Sequence, residues 1–440
     1  PENKPENQEI TEYPETSLKK IMPPNAEQGG TTSTIRQRVR VDTSHITKKV
    51  ASEYDDEILI DGIWYNITDF VKHHPGGRII NFYRGKNATE AFNEFHIRSK
   101  TAHKRLALMK NQRPDNGVSK LDGNLEPLTK DFNALRQQFK GEGLYDPSYR
   151  HVAYRIAELI ALHAVGFWLL SVGWVVAGIV MLGVVQGRCG WFMHEGGHCS
   201  LTGNVAIDIP IQVITYGVGC GMSASFWRNQ HNKHHATPQK IGHDVDLDTL
   251  PLVMFNSVLM KEKQAKLVNK TWIRLQPYLF APLTCLLVAL GWQLFLHPRH
   301  AVRTQRYHEL AAMAARYAVL GYMMFAMDSS YTALQVFIGY IAYVWLGSAY
   351  IFCNFAVSHT HLPVLNRDED VSWVRYASDH TMNVQSGPFG WVDWWMAYLN
   401  YQIEHHLFPS MPQFNHPKIS PRVQALFKKH GVTYMNDSYT

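Results

Sequence analysis

The chain has 440 residues, of which 45% are hydrophobic, 12% aromatic and only 18% charged, with a mean hydropathy of −0.22. That content excludes a disordered protein. The net charge of +6 comes without an aromatic-interleaved basic patch, which points to the cytosolic face of a membrane and to no nucleic acid. The averages hide an uneven distribution. No Asp, Glu, Lys or Arg occurs from Leu159 to Gly187 or from Ser329 to Asn366, whereas ~20 apolar residues suffice to cross a bilayer. Histidine is abundant, at 23 residues, against 5 cysteines that form no CxxC pair and read as reduced structural thiols.

In chain order, residues 1–50 read as a disordered leader rich in Pro, Glu, Asn, Thr and Lys, without the features of a signal peptide. The sequons at Asn66 and Asn87 are then expected to stay unused in the cytosol. Residues 51–112 have the character of a small α+β domain. Ile58–Ile60, Asp61-Gly62 and Ile63–Tyr65 predict a hairpin with a tight turn, followed by short helices at 69–72 and 89–95. Residues 113–150 read as a linker with one amphipathic helix over 130–140. Residues 151–435 read as a mostly α, membrane-embedded domain with about four spans: 154–170, 173–192, 307–327 and 331–357. The segment Leu275–Leu296 is long enough to cross, but a basic loop follows it. Against the positive-inside bias, it is therefore read as interfacial or re-entrant.

The N-terminal domain carries His73-His74-Pro75-Gly76-Gly77 and, 22 residues beyond His74, Phe92-Asn93-Glu94-Phe95-His96. Bis-histidine haem ligation needs two imidazoles aimed at opposite faces of one macrocycle from different helices. Pro-Gly-Gly ends the first helix and lets the backbone approach the porphyrin edge. The module resembles cytochrome b5. The resemblance implies haem b with His74 and His96 as axial ligands and His73 as an exposed neighbour.

Three histidine groups stand at membrane boundaries. His194 and His198 in HEGGH are spaced i, i+4; His231, His234 and His235 are spaced i, i+3, i+4; Gln402, His405 and His406 repeat that spacing with glutamine first. Each group shares one helical face and can meet one metal or two adjacent ones. His359 closes the last span and can add an eighth imidazole, while His361 reads as a neighbouring or surface residue. A single histidine near lipid is more often an interfacial side chain than a ligand. Three groups on one side of a four-span topology are hard to explain that way. HEGGH also fits the HExxH zinc-protease pattern with Glu195 as base, but that reading leaves the surplus histidines and the haem without a role.

An imidazole-rich, redox-active site in a membrane, fused to a one-electron haem carrier, points to O2-dependent oxidation of an acyl chain. HxxxH, HxxHH and QxxHH behind a cytochrome b5 module resemble the front-end fatty acyl desaturases, over roughly residues 55–435. The resemblance implies a cytosolic di-iron cap held by His194, His198, His231, His234, His235, His405 and His406, with His359 and Gln402 contributing. It also implies two iron ions, O2 as co-substrate, a fatty acyl lipid or acyl-CoA substrate, a cytochrome b5 reductase as donor and an endoplasmic reticulum membrane location. The stretches 230–240, 243–251 and 356–363 look most like the Δ5 desaturases of marine protists and algae. A Δ6 acyl or Δ8 sphingoid-base desaturase uses the same site, and a non-catalytic haem carrier is the reading from another class. Asp244, Asp246 and Asp248 read as orienting a histidine or binding a headgroup, or else as a solvated acidic face. Trp227, Trp391, Trp394 and Trp395 suit either a channel mouth or an interfacial belt.

Overall fold

The computed structural model describes residues 45–48, 54–109, 112–114, 126–247, 253–256, 258, 270–326 and 330–439. The segment read as a leader lies outside the described residues as far as residue 44. His45–Lys48 are ordered: strand β1 (Thr47–Lys48) pairs antiparallel with Glu369 and Asp370, and His45 Nε2 lies 2.7 Å from Asp379 Oδ2.

The expected hairpin is present as β2 (Glu57–Ile60) and β3 (Ile63–Asn66), paired Ile60 to Ile63. Asp61 and Gly62 both take positive φ, +48° and +76°, as a two-residue turn between twisted strands requires. β4 (Gln112–Pro114) completes the sheet. Ile58, Ile60, Tyr65, Ile67 and Ala88 fill its core. Helix α1 (Thr89–His96) and helix α2 (Lys100–Ala107) follow.

Helix α3 (Glu126–Gly141) lies in the segment read as a linker and starts earlier than the amphipathic pattern suggested. Leu128, Phe132 and Phe139 make one apolar stripe. They are buried in a core with Phe408 and with Ile419, Val423 and Phe427 of the His416–Lys429 helix. This helix ties the haem-domain side of the chain to the C-terminal cap.

Helices α4 (Tyr149–Ser171) and α5 (Val175–Gly197) form the first apolar hairpin. They are joined at Gly173, whose φ of +81° only glycine adopts without strain. The 333–359 helix packs on α5 at Gly187, where an added Cβ would sit 2.0 Å from Tyr350 Cδ1. Among the described residues, four helices are long and apolar enough to cross a membrane: Tyr149–Ser171, Val175–Gly197, Thr271–Arg303 and Ala333–His359.

The segment read as interfacial or re-entrant, Leu275–Leu296, lies within a 33-residue helical run, Thr271–Arg303, that contains π turns at Phe280–Thr284 and Trp292–Leu296 and has the length and apolarity to cross. The basic residues that follow it, as far as Arg303, continue the same helix. The Tyr307–Ala326 helix is not among these four, and buried Glu309 and Arg316 lower its apolar character.

Those two polar residues have a structural task. Helix α6 (Val205–Cys220) and helix α7 (Ala224–Ala236) meet at a bend of 106°, which frees backbone groups at both helix ends. Arg316 Nη1 donates to the Gly219 carbonyl, and Gln293 Nε2 donates to that of Cys220 at 2.8 Å. The Glu309 carboxylate accepts from the Ser225 backbone amide (3.1 Å) and from the Ser223 hydroxyl. In a low-dielectric layer each such group must find a partner within the protein. The bend delivers α7, with its three histidines, to the end of α5.

Gly187→Ala should overpack the α5 contact and cost about 1–3 kcal/mol, seen as a lowered unfolding midpoint in detergent. Gly321→Ala, where nothing lies within 4 Å of an added Cβ, should leave the midpoint unchanged.

Candidate metal centres

In the N-terminal domain His96 ends α1, and His74 follows a 3-10 turn at Phe70–Lys72. Gly76 is required beside it, because an added Cβ would lie 2.8 Å from His74 Cε1. The two imidazole centroids are 6.2 Å apart. Metal–imidazole bonds of about 2 Å place two opposed ring centroids about 6 Å apart, so the pair fits one bis-histidine haem iron. His74 Nδ1 lies 3.0 Å from the Gly77 carbonyl and His96 Nδ1 3.0 Å from that of Phe92. Those bonds fix Nδ1 as the donor and leave Nε2 for the metal. Burial lowers both pKa values, that of His96 to about 4, which keeps the rings in the neutral, ligating form. His73 is exposed, as expected.

The three histidine groups converge. His194 and His198 from α5, His231 and His235 from α7, and His405 from the Gln402–Leu407 helix form one group whose ligand atoms lie within 4.8 Å of one another. His234, His359 and His406 form a second. The two share all eight imidazoles singled out in the sequence. Ring centroids stand 4.5 Å apart for His198 and His235, 4.7 Å for His194 and His405, and 4.8 Å for His234 and His359.

The donor set fits metal ions. His194 Nε2, His198 Nε2, His235 Nδ1, His406 Nδ1 and both ring nitrogens of His405 are buried without a hydrogen-bond partner. An unsatisfied buried polar atom costs about 1–3 kcal/mol, so this many at one point is expected only where a cation takes their lone pairs. Burial and the neighbouring imidazoles hold His405 and His406 well below the usual histidine range, and burial pushes His198 down to about 3. Neutral imidazole is the form that ligates.

Several surrounding residues position these rings. Asp244 is buried and accepts from His234 Nδ1 (2.9 Å) and from the Gln239 amide (2.8 Å). Of the readings of the acidic run, Asp244 takes the orienting one and Asp246 is largely exposed; Asp248 lies outside the described residues. Trp227 stacks on His231 at 4.2 Å, and Trp395 donates to Asn354. Trp391 and Trp394 are about half exposed. Gln402 is buried against His359. Glu195 accepts from the Gln413 backbone amide (3.2 Å), and the five-histidine group exceeds the three protein ligands of a zinc-protease site.

Two neighbours carried no signal in the sequence. The Gln413 side-chain amide lies 2.9 Å from His194 Nδ1. The atom facing that nitrogen is the amide Nε2, so Gln413 holds the His194 ring in place without fixing its tautomer. His416 is buried 5.9 Å from His405, ring to ring. A lone glutamine and a histidine before Pro417 match no spacing rule, so only the fold reveals them.

Comparison with known proteins agrees with this geometry. Residues 167–438 match the Fatty acid desaturase family and residues 45–121 the Cytochrome b5-like Heme/Steroid binding domain. The chain is 55% identical over 378 residues to an acyl-lipid (8-3)-desaturase of Rebecca salina, covering 86% of this chain and 87% of the relative. It is 46% identical over 400 residues to an acyl-lipid (8-3)-desaturase of Thraustochytrium sp, covering 87% and 89%. At 27% identity over 419 residues it is similar to the Delta(6)-fatty-acid desaturase fat-3 of Caenorhabditis elegans, covering 86% and 92%. The chain therefore belongs to the fatty acid desaturases, as a front-end member with a fused cytochrome b5 domain.

His405→Ala should lower metal content while leaving the haem absorbance intact, and His96→Ala should do the reverse; elemental analysis and a visible spectrum of each variant check both. Asp244→Asn leaves every ligand in place but removes the carboxylate behind His234. It should weaken metal binding by about 10–100-fold, measured by competition with a chelator.

Proposed function

We propose that this desaturase introduces a cis double bond at Δ5 of C20 polyunsaturated acyl lipids in the endoplasmic reticulum membrane, with its haem domain and histidine cap in the cytosol. The observation that carries the chemistry is the division of eight buried imidazoles into groups of five and three where the apolar helices end. His194, His198, His231, His235 and His405 would hold one iron, and His234, His359 and His406 the other, with Gln402 beside His359. Iron bound there supplies O2 activation and removal of hydrogen from an unactivated carbon. Each turnover takes two hydrogens from the chain and reduces one O2 to two waters, consuming two electrons and two protons.

The protein's own residues supply the rest. Asp244 and Gln413 orient their histidines, burial excludes water, and Trp227 closes one side of the cluster. His74 and His96 would hold haem b in the unit read as 51–112, fed by a cytochrome b5 reductase. The membrane unit, 151–435, would receive the acyl chain from the bilayer. The Δ5 reading is supported by the stretches 230–240, 243–251 and 356–363. The acyl-lipid reading is supported by the names of the two relatives that share about half of their aligned residues with this chain.

Expression in yeast fed C18 and C20 polyunsaturated acids, followed by mass-spectrometric location of the new double bond, tests this. Product should carry a new Δ5 bond and come from C20 substrates. Product from C18 substrates alone would replace this reading with the Δ6 one.

A further inference from the structure

The segment around His96 is also where the haem domain meets the desaturase core. On its N-terminal side, Phe95 packs edge-on against His235, at 6.5 Å between centroids, and against Trp373 at 5.7 Å. The Glu94 carbonyl accepts from Ser410 Oγ at 2.8 Å, and its buried carboxyl group accepts from Tyr145 at 3.1 Å. On its C-terminal side, Arg98 reaches across and donates from Nη1 to the Cys199 carbonyl at 3.0 Å. Cys199 follows His198 directly.

The receiving loop is shaped for that guanidinium. Gly203 has φ +72°, and an added Cβ would lie 2.6 Å from Arg98 Nη1 and 2.7 Å from its Cδ. The Asp208 carboxylate, which accepts from the Thr202 and Gly203 amides, and Asp146 supply the opposite charge. The haem-ligand segment thus touches the ends of both histidine helices: Arg98 at α5, and Phe95 at α7. Tyr83 adds a hydrogen bond to the Ala236 carbonyl, next to His235, at 3.3 Å.

We propose that Arg98, seated in the notch left by Gly203, is a positioning residue that locks the His96 side of the haem domain onto the histidine cluster for electron delivery. The domain is then a docked donor rather than one tethered by a loose linker. The inference rests on the desaturase reading. Each delivery would pass one electron from haem held by His74 and His96, oxidised by one unit, to iron held by the histidine cluster, reduced by one unit. Two deliveries match the two electrons consumed per O2, and the haem is recharged by an electron-donor protein.

The test uses the full chain in detergent, loaded with haem and iron, as wild type and as Arg98→Ala, Arg98→Lys and Gly203→Ala. Three quantities are read: hydrogen exchange over 199–203, the haem spectrum and reduction potential, and the rate at which dithionite-reduced haem is re-oxidised on mixing with air and substrate. Arg98→Ala and Gly203→Ala should both speed exchange at 199–203 and slow haem re-oxidation roughly tenfold or more, with spectrum, potential and iron content unchanged. Arg98→Lys, which keeps a donor, should recover part of the rate. Wild-type exchange and re-oxidation in both Arg98→Ala and Gly203→Ala would overturn the proposal. A wild-type haem that fails to re-oxidise would instead overturn the desaturase reading, and the exchange data would then decide the docking alone.

Discussion

Two unit charges 5 Å apart repel by about 3 kcal/mol even at an effective dielectric constant of 20. Eight buried imidazoles with ring centroids commonly 4–6 Å apart cannot hold several protons on those terms. Most of the cluster's rings must therefore be neutral, with lone pairs turned inward; His234 is the exception, since the Asp244 carboxylate holds its pKa up to about 9 against burial. That arrangement in turn calls for cations between them. The architecture follows from this constraint. The rings must come from separate elements, because one helical face presents only two or three. The elements must end at one level, and rings are steadied by partners outside the cluster, as His234, His194 and His359 are. α5, α7, the Ala333–His359 helix and the Gln402–Leu407 helix meet the second condition. Asp244, Gln413 and the His380 carbonyl, which lies 3.0 Å from His359 Nδ1, are those partners.

The same constraint accounts for charge inside the apolar region. α7 can reach the cluster only if the α6–α7 pair bends, and a bend strands backbone groups where no water is available. Arg316, Gln293 and Glu309 satisfy them. A composition-based reading sees those residues as defects in apolar helices. In the fold they hold the second histidine helix in place.

The parts of the site that obey a local period were legible in the sequence. The i, i+3 and i, i+4 histidines name their own helical faces, and His359 is marked by its place at the end of an apolar run. The Asp61-Gly62 turn is legible for a similar reason, since its backbone demand admits few residues. What could not be read was held by single polar residues distant in the chain. Gln413 meets His194 from 219 positions away, and Arg98 meets Cys199 from 101. Neither sits in a pattern. The Leu275–Leu296 segment carries two opposed signals: its length and apolarity suit a span, and the basic residues after it, which continue the same helix to Arg303, oppose one.

The segment read as a linker shows the limit of composition most clearly. Its Pro and Gly content predicts a tether, and a tether would leave the haem domain to find the cluster by diffusion. Yet Leu128, Phe132 and Phe139 sit in the same core as Phe408, two residues beyond His406. Strand β1 joins the other end of the haem domain to Glu369 and Asp370. A domain anchored on both flanks and touching the cluster through its own haem-ligand segment has little orientational freedom left to lose. The entropy of alignment is then met once, on folding, and not at every electron transfer.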